Sequence, residues 1–183
     1  MGHRALVAYR QPDGTFTLRY AHWGENLSAA IGPTSPLGGS APHSGTDDVA
    51  TDLGVERRNG YEPPITTRVD PRPLTVGATA ADVVDAVDVS YESLVVVSPA
   101  FETTTYLVCW LDPMGVGEEL VLVDPDDDPE TLRGWYVETK SRLSGAVADG
   151  TLTPESARAT LRRALSVQGT LYSPDDASFL RDG

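Results

Sequence analysis

The chain has 183 residues and 40% apolar content, enough for one hydrophobic core and too apolar for global disorder. Its 27 acidic residues stand against 14 basic ones, a formal net charge of -13, and that balance argues against a nucleic-acid partner. No apolar run reaches the length of about 18 residues that a membrane helix needs, and MGHRALVAYR has neither an apolar h-region nor a small-residue cleavage site. The expectation is therefore a soluble, cytoplasmic protein with no membrane attachment.

The kind of charge is as telling as its amount. Seventeen of the acidic residues are aspartate, thirteen of the basic ones are arginine, and Lys140 is the only lysine. Carboxylates hold hydration in concentrated salt, and high ionic strength screens their mutual repulsion. This reads as adaptation to a salt-rich cytoplasm; an acidic protein that avoids nucleic acid in an ordinary cell is the other reading. In high salt the counterion-release term that drives phosphate binding is largely lost, so the acidic balance disfavours nucleic acid without excluding it. Cys109, the lone cysteine, lies in YLVCWLD and reads as a small buried hydrophobe.

In chain order, RALVAYR (4–10) and TFTLRYAHW (15–23) form two strands joined by QPDG, where Pro12 presets the turn and Gly14 tolerates a positive φ. A loop of Pro12, Asp13 and Gly14 places Arg4 opposite His22 and His3 opposite Trp23. A two-residue loop places Ala5 opposite His22, and it is disfavoured because Pro12 would then stand in the ladder. Alternation sends His22 to the face of Phe16, Leu18 and Tyr20, and Trp23 to the face of Thr17, Arg19 and Ala21.

Residues 24–73 are rich in Gly, Pro, Ser and Thr, with a flexible loop region expected at about 24–64 and a short edge strand at ITTRV (65–69). TAADVVDAVD reads as a short amphipathic helix with Val83, Val84 and Val87 inward. ESLVVVSP, TTTYLVCWLD and GEELVLVDP are strands, the last two joined as a hairpin. Asp128 is an N-cap with Pro129 at the first helical position, opening a helix to about Val147. Thr153 and Pro154 restart a helix that reaches about Gln168, so a helical hairpin spans about 129–168. These elements predict a single domain over residues 1–183. Its fold class is α+β, a mostly antiparallel sheet of five or six strands with two or three helices packed on one face.

Motifs with known chemistry are missing. No Walker loop, no GxGxxG behind a strand, no GxSxG, no CxxC and no HExxH occurs, so no cofactor and no metal site are expected. In DPDDDPE, Asp124, Asp126 and Asp128 match the first three ligand positions of a calcium loop. Pro129 stands where that loop needs glycine and Trp135 where it needs glutamate, so the run reads as an acidic helix start.

The remaining candidates gather at TLRYAHWGEN (17–26). His22 with Glu25 makes a conceivable acid/base pair, and Arg4 with His3 and Trp23 a conceivable ligand-binding set, in which guanidinium holds an anion and indole stacks. Arg10 and Arg19 on the same hairpin and Arg57-Arg58 could extend an anion-binding face. The plainer reading makes His22 and Trp23 strand-end residues that close the rim of the sheet.

The stretch MGHRALVAYRQPDGTFTLRYAHWG (1–24) resembles the opening of a family of uncharacterised haloarchaeal proteins. The resemblance implies an archaeal host and an intracellular single-domain protein; it assigns no activity to any residue. The first functional reading is a non-catalytic ligand-binding or regulatory module whose partner is a small anionic ligand or a protein. The second is a small hydrolase or transferase acting on a phosphorylated or nucleotide-like ligand, with His22 as base. The third is a structural subunit of an oligomer.

Overall fold

The computed structural model describes residues 4–22, 27–39, 69–114 and 119–180. Most of the segment expected as a flexible loop, and all of ITTRV except Val69, lie outside them.

Strands β1 (Ala5–Arg10) and β2 (Phe16–Ala21) form the expected hairpin, with Ala5 opposite Ala21 and Arg10 opposite Phe16. Gln11 N–H donates to Thr15 O at 2.7 Å and Gly14 N–H to Gln11 O at 2.9 Å, so the loop is Pro12, Asp13 and Gly14. Gly14 adopts φ 82°, a region a side chain would strain. The Asp13 carboxylate accepts from Thr15 N–H and Oγ1 and holds the turn shut.

After a four-residue helix α1 (Leu27–Ala30), the short strand β3 (Thr75–Ala78) pairs antiparallel with β2. Helix α2 (Ala80–Asp85) follows through a reciprocal cap, in which Thr79 Oγ1 accepts from Asp82 N–H and the Asp82 carboxylate accepts from Thr79 N–H. Strand β4 (Ser93–Val97) then lies parallel to β1, with Ala5 beside Ser93 and Tyr9 beside Val97. Strands β5 (Thr103–Trp110), β6 (Leu120–Pro125) and β7 (Gly169–Tyr172) add antiparallel neighbours, giving the order β3-β2-β1-β4-β5-β6-β7. Between β6 and β7 run α3 (Pro129–Ala148) and α4 (Pro154–Leu165), capped by Asp128 and Thr153 as their sequences require. A 3₁₀ turn at Ala177–Leu180 ends the described chain.

The fold is thus α+β, a mixed and largely antiparallel sheet with several helices packed against it. It has seven strands among the described residues, where five or six were expected. The two unexpected ones are the edges. β3 exposes three of its four residues and contains Gly77 at φ 74°, so no alternation marks it. β7 opens on a glycine, and it also ends α4 at Leu165 rather than near Gln168, because Gly169 must already enter the ladder opposite Pro125.

Helices cover both faces rather than one. On the first face, Leu6, Ala8, Phe16, Leu18, Leu94, Tyr106, Val108 and Leu122 pack against Val83 and Val84 of α2 and against Leu180. On the second, Leu107, Cys109, Val121 and Val123 lie under Leu132 and Tyr136 of α3 and Leu161 and Leu165 of α4. Beside them, Ala5, Val7, Val95 and Val97 lie under Leu27, Ile31 and Val69. The Tyr9 hydroxyl donates to Pro36 O at 2.7 Å and fastens this last cover; burial pushes that phenol up to about 12. Cys109 is fully buried, and burial raises its thiol far above the ordinary range.

Two predictions follow from these contacts. A Cβ on Gly169 would sit 2.2 Å from Asp124 O and 2.9 Å from Pro125 Cα, both backbone atoms. Gly169→Ala is expected to destabilise the protein by about 3 kcal/mol in urea titration, the upper end for overpacking; a loss of a few tenths would show that β7 moves freely. The second concerns acid. Hydrogen bonds from neighbouring turn or cap residues lower the carboxyls of Asp13, Asp82, Asp128, Asp149 and Asp176. A depressed carboxyl contributes stability that is present above its unfolded-state value and is lost as pH falls through its folded one. In molar KCl, where repulsion is screened, the urea midpoint is expected to fall as pH drops below about 4. A midpoint that is flat or rises over that range would contradict it.

Candidate functional site

The parallel pairing of β1 with β4 gathers three chain segments at one end of the sheet. Arg4 immediately precedes β1, His22 follows β2, and Tyr91-Glu92 leads into β4. The hairpin register, extended one step beyond Ala5 and Ala21, sets Arg4 opposite His22. On the other side Glu92 N–H donates to Arg4 O at 2.8 Å, which fixes the backbone of this rim across two strands.

Three rings cluster beside them. The Tyr20 hydroxyl and His22 Nδ1 are 2.9 Å apart, with ring centroids 6.2 Å apart and planes at 56°. Tyr20 and Tyr91 lie 6.4 Å apart at 57°. Tyr20 and His22 share a face because they are two apart on an extended chain. Tyr91 reaches them only through the β1–β4 pairing, and no local pattern in the sequence announces it. Desolvation raises the Tyr91 phenol, with Asp88 and Tyr20 adding to the shift, so it stays a neutral hydrogen-bond donor across the ordinary pH range.

Arg4 and His22 are exposed, while Tyr20 and Tyr91 are half-buried. The Glu92 carboxylate is engaged elsewhere, in an ion pair with Arg133 of α3, and Arg133 also lies 3.8 Å from Glu130. Helix α3 is thereby tied to the rim. Among the described residues the Arg4 side chain makes no hydrogen bond or ion pair. A guanidinium without a counter-charge among the described residues, on a chain of net charge -13, is the feature of this rim that local structure leaves unused.

Of the residues singled out from sequence, Arg4 and His22 are brought together. His3, Trp23 and Glu25 lie outside the described residues, as do Arg57 and Arg58. Arg10 and Arg19 do not join Arg4 in one anion-binding face. Arg10 ends the strand that Arg4 precedes, about 20 Å away at the rise of an extended strand. Arg19 projects from the other face, where its guanidinium donates to the backbone carbonyls of Asp70 and Pro71 and lies 6.0 Å from the Tyr9 ring centroid.

Asp124 and Asp128 have separate local roles. Asp128 caps α3 through Thr131 N–H at 2.9 Å, and Asp124 is half-buried in β6, its carboxyl raised by desolvation and by Asp126. Among the described residues no three His, Cys, Asp or Glu side chains converge as a metal site would need.

A second polar cluster joins α3 to the end of β5. Trp110 O accepts from the Tyr136 hydroxyl and from Lys140 Nζ, each at 2.9 Å, and the same hydroxyl accepts from Trp110 N–H. Burial raises the Tyr136 phenol, which keeps it a neutral hydroxyl, and lowers the Lys140 ammonium. Both side chains bond the backbone of Trp110, which makes the cluster a pin between helix and sheet.

Among the described residues no helix is long and apolar enough to cross a membrane. No curated protein and no solved structure matches the chain. One family model matches residues 1–172, and the chain belongs to that family, the family of unknown function DUF6735.

Proposed function

We propose that this chain is a non-catalytic ligand-binding or regulatory module of a salt-adapted, archaeal cytoplasm, which holds a small anionic ligand at the rim formed by Arg4 and His22. The observation that supports it is the Arg4 guanidinium, exposed, without a side-chain partner among the described residues, and set by the hairpin register opposite an imidazole. Arginine offers a planar fork of donors that matches carboxylate and phosphate oxygens, and a neighbouring imidazole adds a further donor. The salt-adapted setting is supported by the aspartate excess and the single lysine.

A second reading draws on the bond between the Tyr20 hydroxyl and His22 Nδ1. Such a bond fixes an imidazole's orientation, and an oriented imidazole suits a small hydrolase or transferase on a phosphorylated ligand.

The test is a titration of inorganic phosphate at constant ionic strength, followed by the backbone and side-chain NMR signals of Arg4 and His22. Weak, saturable shifts are expected, with affinity lowered at least fivefold in Arg4→Gln, roughly the loss of one charge-assisted contact. Absence of saturation, or an Arg4→Gln variant that binds as before, would overturn the rim as an anion site. Hydrolysis of a phosphate ester that disappears in His22→Ala would favour the catalytic reading instead.

A further inference from the structure

The ligand class can be narrowed by asking what an exposed guanidinium can hold in concentrated salt. A single exposed charge pair contributes little even in dilute buffer, and screening weakens it further. A ligand that stays on this rim therefore needs a second, salt-insensitive attraction, and the rim offers one. Tyr20, His22 and Tyr91 form an aromatic corner with rings tilted by 56° and 57° and centroids little more than 6 Å apart. A flat ring stacked on one member of such a corner turns its edge toward the next, the arrangement that the charge distribution of aromatic rings favours.

Arg4 stands on the strand next to His22, about 5 Å across the sheet, and its long side chain extends the reach of the charge beyond the rings. Glu92, whose backbone N–H bonds Arg4 O, forms an ion pair with Arg133.

Resting on the rim reading above, we infer that the ligand is a nucleotide-type monophosphate, a flat heteroaromatic ring joined through a short linker to a phosphate. Its ring stacks in the corner of Tyr20, His22 and Tyr91, and its phosphate takes the guanidinium of Arg4. Stacking of a base on aromatic side chains is tolerant of base identity, so the site reads the class of ligand more than the particular base. The neutral Tyr91 hydroxyl supplies a donor for the polar edge of the ring. No bond is made or broken in this binding.

The experiment compares adenosine monophosphate, adenosine and inorganic phosphate on the full chain in molar KCl, by NMR titration of the Arg4, Tyr20, His22 and Tyr91 signals. The monophosphate is expected to bind about tenfold or more tighter than either half. Arg4→Gln is expected to reduce its affinity to that of adenosine, and Tyr91→Leu to reduce it toward that of phosphate. Circular dichroism and a urea midpoint establish that the Tyr91→Leu protein is folded; the comparison of the three ligands on the unaltered chain needs no variant.

Monophosphate no tighter than phosphate, with Arg4 signals still shifting, overturns the nucleotide inference and leaves the anion reading standing. Adenosine binding as tightly as the monophosphate, indifferent to Arg4→Gln, overturns both. No shift at the rim with any of the three also overturns both. An affinity that keeps rising along a series of oligoadenylates assigns the rim to single-stranded RNA and overturns the mononucleotide.

Discussion

The parallel contact between β1 and β4 is the constraint on which the rest of the architecture depends. Every other strand pair is antiparallel and joins strands on the same side of that contact, β3-β2-β1 on one side and β4-β5-β6-β7 on the other. The contact is buried on both faces, with Ala5, Leu6, Val7 and Ala8 all inaccessible and Leu94, Val95 and Val97 beside them. Such a seam asks for unbroken apolar runs instead of alternation, and ALVA and LVVV supply them. Because the two strands run the same way, their beginnings share one end of the sheet with the finish of β2. That is the geometric origin of the rim where Arg4, His22 and Tyr91 meet.

What was legible in the sequence was what depends on neighbours in the chain. Pro12, Asp13 and Gly14 set the hairpin loop, and with it the placing of Arg4 opposite His22. Asp128 and Thr153 marked the starts of two helices because capping uses side chains within a few residues of the backbone they bond. Contacts between distant segments were not legible. The partner of β1 beyond the hairpin and the arrival of Tyr91 beside Tyr20 both follow from β4 docking on β1, and the two short edge strands are fixed by their pairing with β2 and β6. The same limit explains the helices. An amphipathic stripe shows that a helix has an inner side, but α2 and α3 carry equally ordinary stripes and pack on opposite faces.

The acidic residues carry more structure than a solvation argument alone assigns to them. Asp13, Asp70, Asp88, Asp112, Asp149 and Asp176 each accept from the backbone N–H two residues further on. A carboxylate as close to its backbone as aspartate's closes that ring where glutamate's longer stem does not, which gives a local reason for aspartate to outnumber glutamate here. These bonds span a few ångströms and are little affected by dissolved ions, unlike the long-range field of the same charges. Lys140 illustrates the complementary case. Its compact ammonium shares one carbonyl with a tyrosine hydroxyl at the end of β5, a place where a broad planar guanidinium would present its donors differently.

The seam between β1 and β4 also bears on how the chain reaches this structure. The hairpin of β1 and β2, the β4-β5-β6 meander and the pair α3–α4 are each built from neighbouring segments and can organise early. Residues 5–9 must then find residues 93–97 across a long stretch of intervening chain, and the entropy of closing that loop is recovered only when both faces are covered. Until they meet, each half presents an apolar strand edge to solvent, so docking of the halves is the natural late and slow event in folding. The rim comes into being in that same event, since Tyr91 and Arg4 belong to opposite halves.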